Sequence, residues 1–267
     1  MANVIADLAI TSLDSITAFG VTSNDFLFSL DELQNVTIEN AEEKTEINGK
    51  QGRQLTSLKR NKSVSISGTS GTLVAGLLEM QTGGEFEAKD ATPVRWVDSL
   101  TIEGNEATTN FKAVGTAGSE IIALYLKNDN GTLGTKLTQN STADTGKFAY
   151  DPSSKKLTFK AGDYTNGTEI AVFYERKLAA NVLENISDNY STKCKLYIDA
   201  TAEDHCANVY HVQIYIPKAD FDGNFSFEMG DNQTTHAFNA EALAGACGAS
   251  AAMWTYTVFG ANTEDAE

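Results

Sequence analysis

The sequence predicts a mainly β protein with one short helix, a long polar hairpin arm and an inserted small β-sandwich. Alternation is the first sign. Cys194, Leu196, Ile198 and Ala200 share one parity against Lys195, Tyr197 and Asp199, and Tyr210, Val212, Ile214 and Ile216 share one against His211 and Gln213. That is the period of a strand with one buried face. The second sign is repetition. Phe225, Phe227 and Met229 and the stretch 253–259 continue the pattern, set apart by the turn-forming Pro217-Lys218-Ala219-Asp220 and Gly230-Asp231-Asn232. Third, helical spacing is confined to two short stretches. Such a chain builds sheets with faces and edges, so its function is expected in surfaces rather than in a pocket.

Taken in order, the chain begins with a mixed pattern over residues 5–38, in which Phe26-Leu27-Phe28 reads as a short strand and Val36 and Ile38 alternate with Thr37 and Glu39. Apolar residues then thin out. Residues 41–61 are mostly polar around the turn Asn48-Gly49-Lys50-Gln51-Gly52, before Val64 and Ile66 resume the alternation. This is a long hairpin whose tip leaves the core. Its charge is split: residues 1–49 hold nine acids and one base, whereas Lys50, Arg53, Lys59, Arg60 and Lys62 follow with no acid among them. Two readings stand. Either these are solvated loop charges, or the arm docks on an acidic surface of a neighbouring copy, where complementarity sets register more than affinity.

Leu73, Val74, Leu77 and Leu78 fall at helical spacing, with Ser70 or Thr72 as N-cap and Gly83-Gly84 as a stop. Leu178, Val182 and Ile186 suggest a second helix over 178–186, although Asn181, Asn185 and Ser187 suit a loop equally well. Between the two, residues 121–126, 147–150, 157–159 and 169–174 read as strands joined by turns rich in Asn, Gly, Pro and Ser. They form either a small inserted β-sandwich or extra strands of the main sheet. The division expected is a discontinuous core of residues 1–102 and 176–267 around an inserted domain of residues 103–175.

Composition excludes several function classes. The 267 residues are 41% hydrophobic, enough for a sizeable core. Lys and Arg total 20 against 36 Asp and Glu, a formal charge of −16, which opposes gripping a phosphate backbone but not letting DNA slide past. The first residues lack a secretion-signal pattern and no run approaches a bilayer span, so a cytosolic origin is expected. There Cys194, Cys206 and Cys247 stay thiols.

Catalytic chemistry is absent from the pattern. Gly68-Thr69-Ser70-Gly71 and Gly115-Thr116-Ala117-Gly118 lack the spacing and the Lys of a P-loop. Cys194, His205, Cys206 and His211 do not match zinc spacings, and Asp220, Asp222 and Asn224 put Gly223 fourth where a calcium loop needs it sixth. His205 beside Cys206 points to the opposite strand face, so no nucleophile and base are paired. No catalytic, metal or cofactor residues are expected, and no cofactor.

Residues 209–231, followed by 236–243 and the terminal strand 254–260, resemble the major tail tube proteins of tailed bacteriophages, of the long non-contractile, siphovirus-like kind. So does the front half, with its strand, long polar excursion, returning strand and short helix ending in Gly-Gly. The resemblance implies a tail-tube β-sandwich or barrel that forms hexameric rings, stacked into a hollow tube that conducts DNA during genome ejection. It implies as partners other copies of the chain, a tape measure protein in the lumen, tail terminator or connector and distal tail proteins, and double-stranded DNA passing without specific binding. No membrane is involved; the protein belongs to the virion tail and to the host cytoplasm during assembly. Sheet edges that are a hazard in a monomer pair between copies, and an acidic bore repels phosphate. Lys50, Arg53, Lys59 and Arg60 become the candidates for contacts between subunits and rings. The alternative is a carbohydrate- or cell-surface-binding β-sandwich, with residues 103–175 as the binding part and Tyr125, Tyr150 and Tyr164 as stacking platforms, though buried cross-strand packing is the commoner use of such rings.

Overall fold

The computed structural model describes residues 7–230, 234–244 and 252–260; Asp231, Asn232 and Cys247, named above, lie outside them. The chain runs β1 (Leu8–Gly20), β2 (Phe26–Leu30), β3 (Leu33–Asn48), β4 (Gln54–Ser70), α1 (Ala75–Thr82), β5 (Glu87–Ile102), β6 (Glu106–Thr108), β7 (Ile121–Lys127) and β8 (Leu133–Gln139). It continues with β9 (Lys147–Asp151), β10 (Lys156–Phe159), β11 (Thr168–Val182), β12 (Lys193–Asp204), β13 (Val209–Phe221), β14 (Phe227–Glu228), β15 (Thr235–Ala242) and β16 (Thr255–Gly260). Among the described residues α1 is the one α-helix, so the mainly β expectation with a single short helix holds. The strands gather into two compact units, one of residues 1–86 and 183–267, the other of residues 87–182.

In the first unit the sheet order is β2-β1-β12-β13-β15-β4-β3, with β14 against β15 and β16 against β13. Alternation dictates which side is buried. Cys194, Leu196 and Ile198 of β12 lie in one core with Ile16 and Ala18 of β1, Phe28 and Leu30 of β2, and Val64 and Ile66 of β4. Strands from both ends of the order share that core, so the sheet curls around it. Each large side chain fully removed from water there contributes about 1.5–3 kcal/mol. On the opposite face, Phe26, Phe19, Tyr197 and Tyr215 form a row of ring contacts across β2, β1, β12 and β13, each worth about 0.5–1.5 kcal/mol beyond area.

α1 plugs this core with Leu77, fully buried, and Met80. Its start differs from expectation: Val74 is the N-cap and makes no side-chain cap bond, because the Ser70 hydroxyl is used two residues on, donating to the Thr72 carbonyl at 3.0 Å and accepting from the Thr72 N–H at 3.2 Å. Its end is as expected. Gly83 takes the left-handed conformation (φ 69°) and donates its N–H to the Glu79 carbonyl at 2.7 Å. A Cβ built there would lie 2.1 Å from the Tyr190 carbonyl oxygen, so only glycine fits.

The second unit has the order β5-β11-β7-β8-β9-β10-β6, antiparallel except for β8 beside β9. Its two end strands are joined by a tight turn bridged at Glu103–Glu106, so the ends of the sheet order approach each other there, while the rest of β5 has β11 as its one strand partner among the described residues. Ile102, Leu124, Leu137, Phe148, Leu157 and Ile170 fill the interior. The helix expected over 178–186 does not form. Leu178, Ala180 and Val182 continue β11, paired with β5 as far as Val182 opposite Glu87, and Ile186 lies exposed beyond it. A four-residue apolar spacing is also an even spacing, which suits one face of a strand when a partner strand is available.

Candidate assembly surface

The hairpin of β3 and β4 leaves its core. β15 accompanies β4 only from Ser65 to Ser70, opposite Glu241 to His236, whereas β3 and β4 stay paired out to Asn48 opposite Gln54. Beyond residues 41 and 63 the pair is therefore a bare two-stranded ribbon, roughly 25 Å long at about 3.3 Å per residue. Its residues are exposed, including Ile47, Leu55 and Leu58. A ribbon of two strands is marginally stable alone in water.

The four basic residues expected to make contacts all lie on this arm, but not in one state. Lys59 already holds Glu42 at 2.6 Å, and its ammonium keeps the Glu42 carboxyl below the usual carboxylate range, first by hydrogen bond and then by charge. Arg60 stands opposite Glu43, which is tied by the Asn61 amide donating at 2.7 Å. Lys50 and Arg53 flank the tip, in and just after the 3-10 turn Lys50–Gly52, exposed and with no ion pair among the described residues. That turn depends on Gln51 and Gly52 at positive φ (64° and 75°).

The sheet edges complete the surface. β3 and β16 each have a strand on one side only among the described residues. The free side of β2 differs, because α1 approaches it at Gly76, where a Cβ would meet the Leu27 carbonyl oxygen at 2.4 Å. β16 is exposed along most of its length, with Tyr256 and Phe259 both 45% accessible. An uncovered edge of this kind is a template for another strand.

At the foot of the arm lies a cleft of about 540 Å³ between β4, β13 and β15, lined by Ser65, Ser67, Asn239, Asp220, Asp222 and Glu241. Asp220 stands directly opposite Glu241 in the β13–β15 ladder, and Glu39 lies opposite Ser65 on the next strand over. Lys193, 3.4 Å from Asp220, is the one cation paired with this group among the described residues.

The residues weighed for chemistry do other things. Asp204 caps a tight turn, accepting from the N–H groups of Cys206 and Asn208 and from the Asn208 amide, which together hold its carboxyl low. Asp222 accepts from Asn224 in a similar turn. His211 stacks on Phe259 at 5.6 Å. Cys194 is fully buried and its thiol is pushed up to about 12 by burial. His236, also fully buried, shares a 2.7 Å hydrogen bond with Gln81 Oε1, and its Nδ1 has no partner. Among the described residues no group of three or more His, Cys, Asp or Glu is placed to hold a metal ion. Among the described residues no helix is long and apolar enough to cross a membrane. Of the tyrosines considered as sugar platforms, Tyr150 accepts from the Ala113 N–H at 2.9 Å, Tyr164 packs edge-on against Phe159, and Tyr125 packs edge-on against Phe173.

Sequence reasoning missed a polar network in the second unit. Asp98, 2% accessible, accepts from the Tyr174 hydroxyl (2.7 Å), the Asn110 N–H and side-chain amide (2.8 and 2.7 Å) and the Trp96 indole (3.0 Å). Burial, and then the bond to Asp98, raises the Tyr174 phenol far above its ordinary value. The Arg176 guanidinium lies over Phe111 and Trp96, 3.6 and 4.7 Å from the ring centres. The sequence signal was Trp96 and Asp98 sharing a strand face, with no hint of which residues would meet them.

The sequence pattern of the YomU/Tube protein family matches residues 8–256. No curated protein matches the chain. The match spans nearly the whole sequence, so the chain belongs to the YomU/Tube family, whose members are tube-type structural proteins of phage.

Proposed function

From that membership we propose that the protein is the major tail tube subunit of a long non-contractile, siphovirus-like tail. Copies form rings, hexameric in the form proposed, that stack around a lumen through which the genome leaves the head. The observation that carries this reading is the coincidence of two features in one unit: β3 and β16, each with a strand on one side only among the described residues, and an excess of acid. Residues 1–86 and 183–267 contain 24 Asp and Glu against 9 Lys and Arg. Edges that pair between copies close a wall, and a wall rich in carboxylates repels DNA phosphates, so the duplex slides without sticking.

The partners that follow are further copies of the chain, a tape measure protein inside the lumen, terminator or connector proteins at the head end and distal tail proteins at the other. Assembly takes place in the host cytoplasm and the product is the virion tail. The reading needs no turnover and no cofactor. In it, residues 103–175 act as an accessory insertion, and Lys50, Arg53, Lys59 and Arg60 work at contacts between rings. Electron microscopy of the purified chain over a rising concentration series tests it: rings and tubes are the expected result, and particles that stay single at high concentration, with and without added tail components, sink it.

A further inference from the structure

Resting on the tube reading, we infer that the arm tip of one copy, through Lys50 and Arg53, seats in the acidic cleft at the foot of the arm of a second copy. Three observations lead there. A two-stranded ribbon is only marginally stable uncovered, and this one shows Ile47, Leu55 and Leu58 to solvent. Its tip cations have no carboxylate partner among the described residues, whereas Lys59, farther down, is already paired with Glu42. And the cleft is electrostatically frustrated on its own. Asp220 and Glu241 face each other across the ladder, an arrangement that destabilises a sheet, with Asp222 beside them and Glu39 near. Lys193 offsets one of the four.

A chain cannot fold its own ribbon back into this cleft, because the tip and the cleft lie at opposite ends of the same two paired strands. From Glu39 to Lys50 the ribbon spans roughly 35 Å at about 3.3 Å per residue. The acceptor is therefore another copy, and a tip-to-foot contact is heterologous, so each pair leaves one tip and one cleft free to engage further copies. Two ammonium or guanidinium groups arriving among Glu39, Asp220, Asp222 and Glu241 relieve the like-charge contact and fix the register of the stack.

The test is a charge exchange in the full-length protein. Lys50→Glu with Arg53→Glu is expected to shorten tubes at least about tenfold, a loss of the size that close interfacial charge pairs carry. Adding Glu39→Lys and Glu241→Lys to that variant is expected to restore them. Both pairs of positions are exposed, and unchanged thermal melting of the unassembled variants checks that the fold survives. Wild-type tube length in the tip variant overturns the inference and leaves the tube reading standing. Lost tubes that the second pair does not restore overturn the cleft as acceptor. A wild-type protein that makes neither rings nor tubes overturns both.

Discussion

The two units of this chain are both β structures of comparable core quality, yet they differ in charge and in how they end. Residues 87–182 carry 11 Lys and Arg against 12 Asp and Glu, while the other unit carries 9 against 24. Nearly all of the formal −16 therefore sits in one of them. Among the described residues that unit gives β3 and β16 a strand on one side only, and it extends a ribbon into solvent. The other joins its end strands at the Glu103–Glu106 bridge, keeps β5 paired with β11 alone along the rest of its length among the described residues, and spends its polar groups internally, around Asp98. The contrast teaches where association belongs: both units keep an edge strand, but the one that also concentrates the acid and carries the basic-tipped arm is built for company.

The largest expected effect breaks the second unit alone. Asp98→Ala leaves the Tyr174 hydroxyl, the Asn110 groups and the Trp96 indole without their buried acceptor, and is expected to cost about 3–5 kcal/mol. In calorimetry the transition of residues 87–182 drops, while tube formation persists. Lost tubes with an intact first unit would erase the distinction drawn between the two.

Nearly as large is Leu77→Ala, which empties the centre of the first unit's core at about 2–5 kcal/mol. Here the transition of the first unit falls and assembly falls with it. An unchanged melting temperature would show that α1 is not part of that core.

A smaller effect follows from His236. Burial lowers its pKa below the ordinary 6.5, so the folded state holds it neutral while the unfolded chain takes up a proton. Stability is then full above the unfolded value and is lost as pH falls from about 7.5 through 6.5 towards the lower folded pKa, by at most about 1.4 kcal/mol per pH unit. Denaturation midpoints of the first unit between pH 7.5 and 5.5 should show this slope, and His236→Gln should flatten it. An equal slope in both proteins would assign the acid sensitivity elsewhere.

The smallest expected effect is on the arm: Lys59→Ala, which removes the exposed pair with Glu42, should leave the melting temperature of the unassembled protein unmoved.

Much of the fold was legible because the main sheet has one wet and one dry face. The alternation at Cys194 to Ala200 became β12, that at Tyr210 to Ile216 became β13, and Gly83 ended α1 as its position implied. The strands β5 and β8 were not legible. β5 carries Asp90, Pro93 and Arg95 and tolerates the proline because it lies at the end of its sheet's order, while β8 has only Leu137 buried. The assembly surface was half legible: the basic residues of the arm stood out from composition, but their division into paired Lys59 and unpaired Lys50 and Arg53 depends on cross-strand register. The acidic cleft was invisible, since it joins β4, β13 and β15 from far apart in sequence.

The most direct test of the central claim is hydrogen exchange of the backbone amides before and after assembly. The account expects amides of β16 and of residues 33–40 in β3 to gain strong protection when particles form, while those of residues 103–175 keep their rates. Assembled particles in which both edges exchange as fast as in the single chain would contradict it.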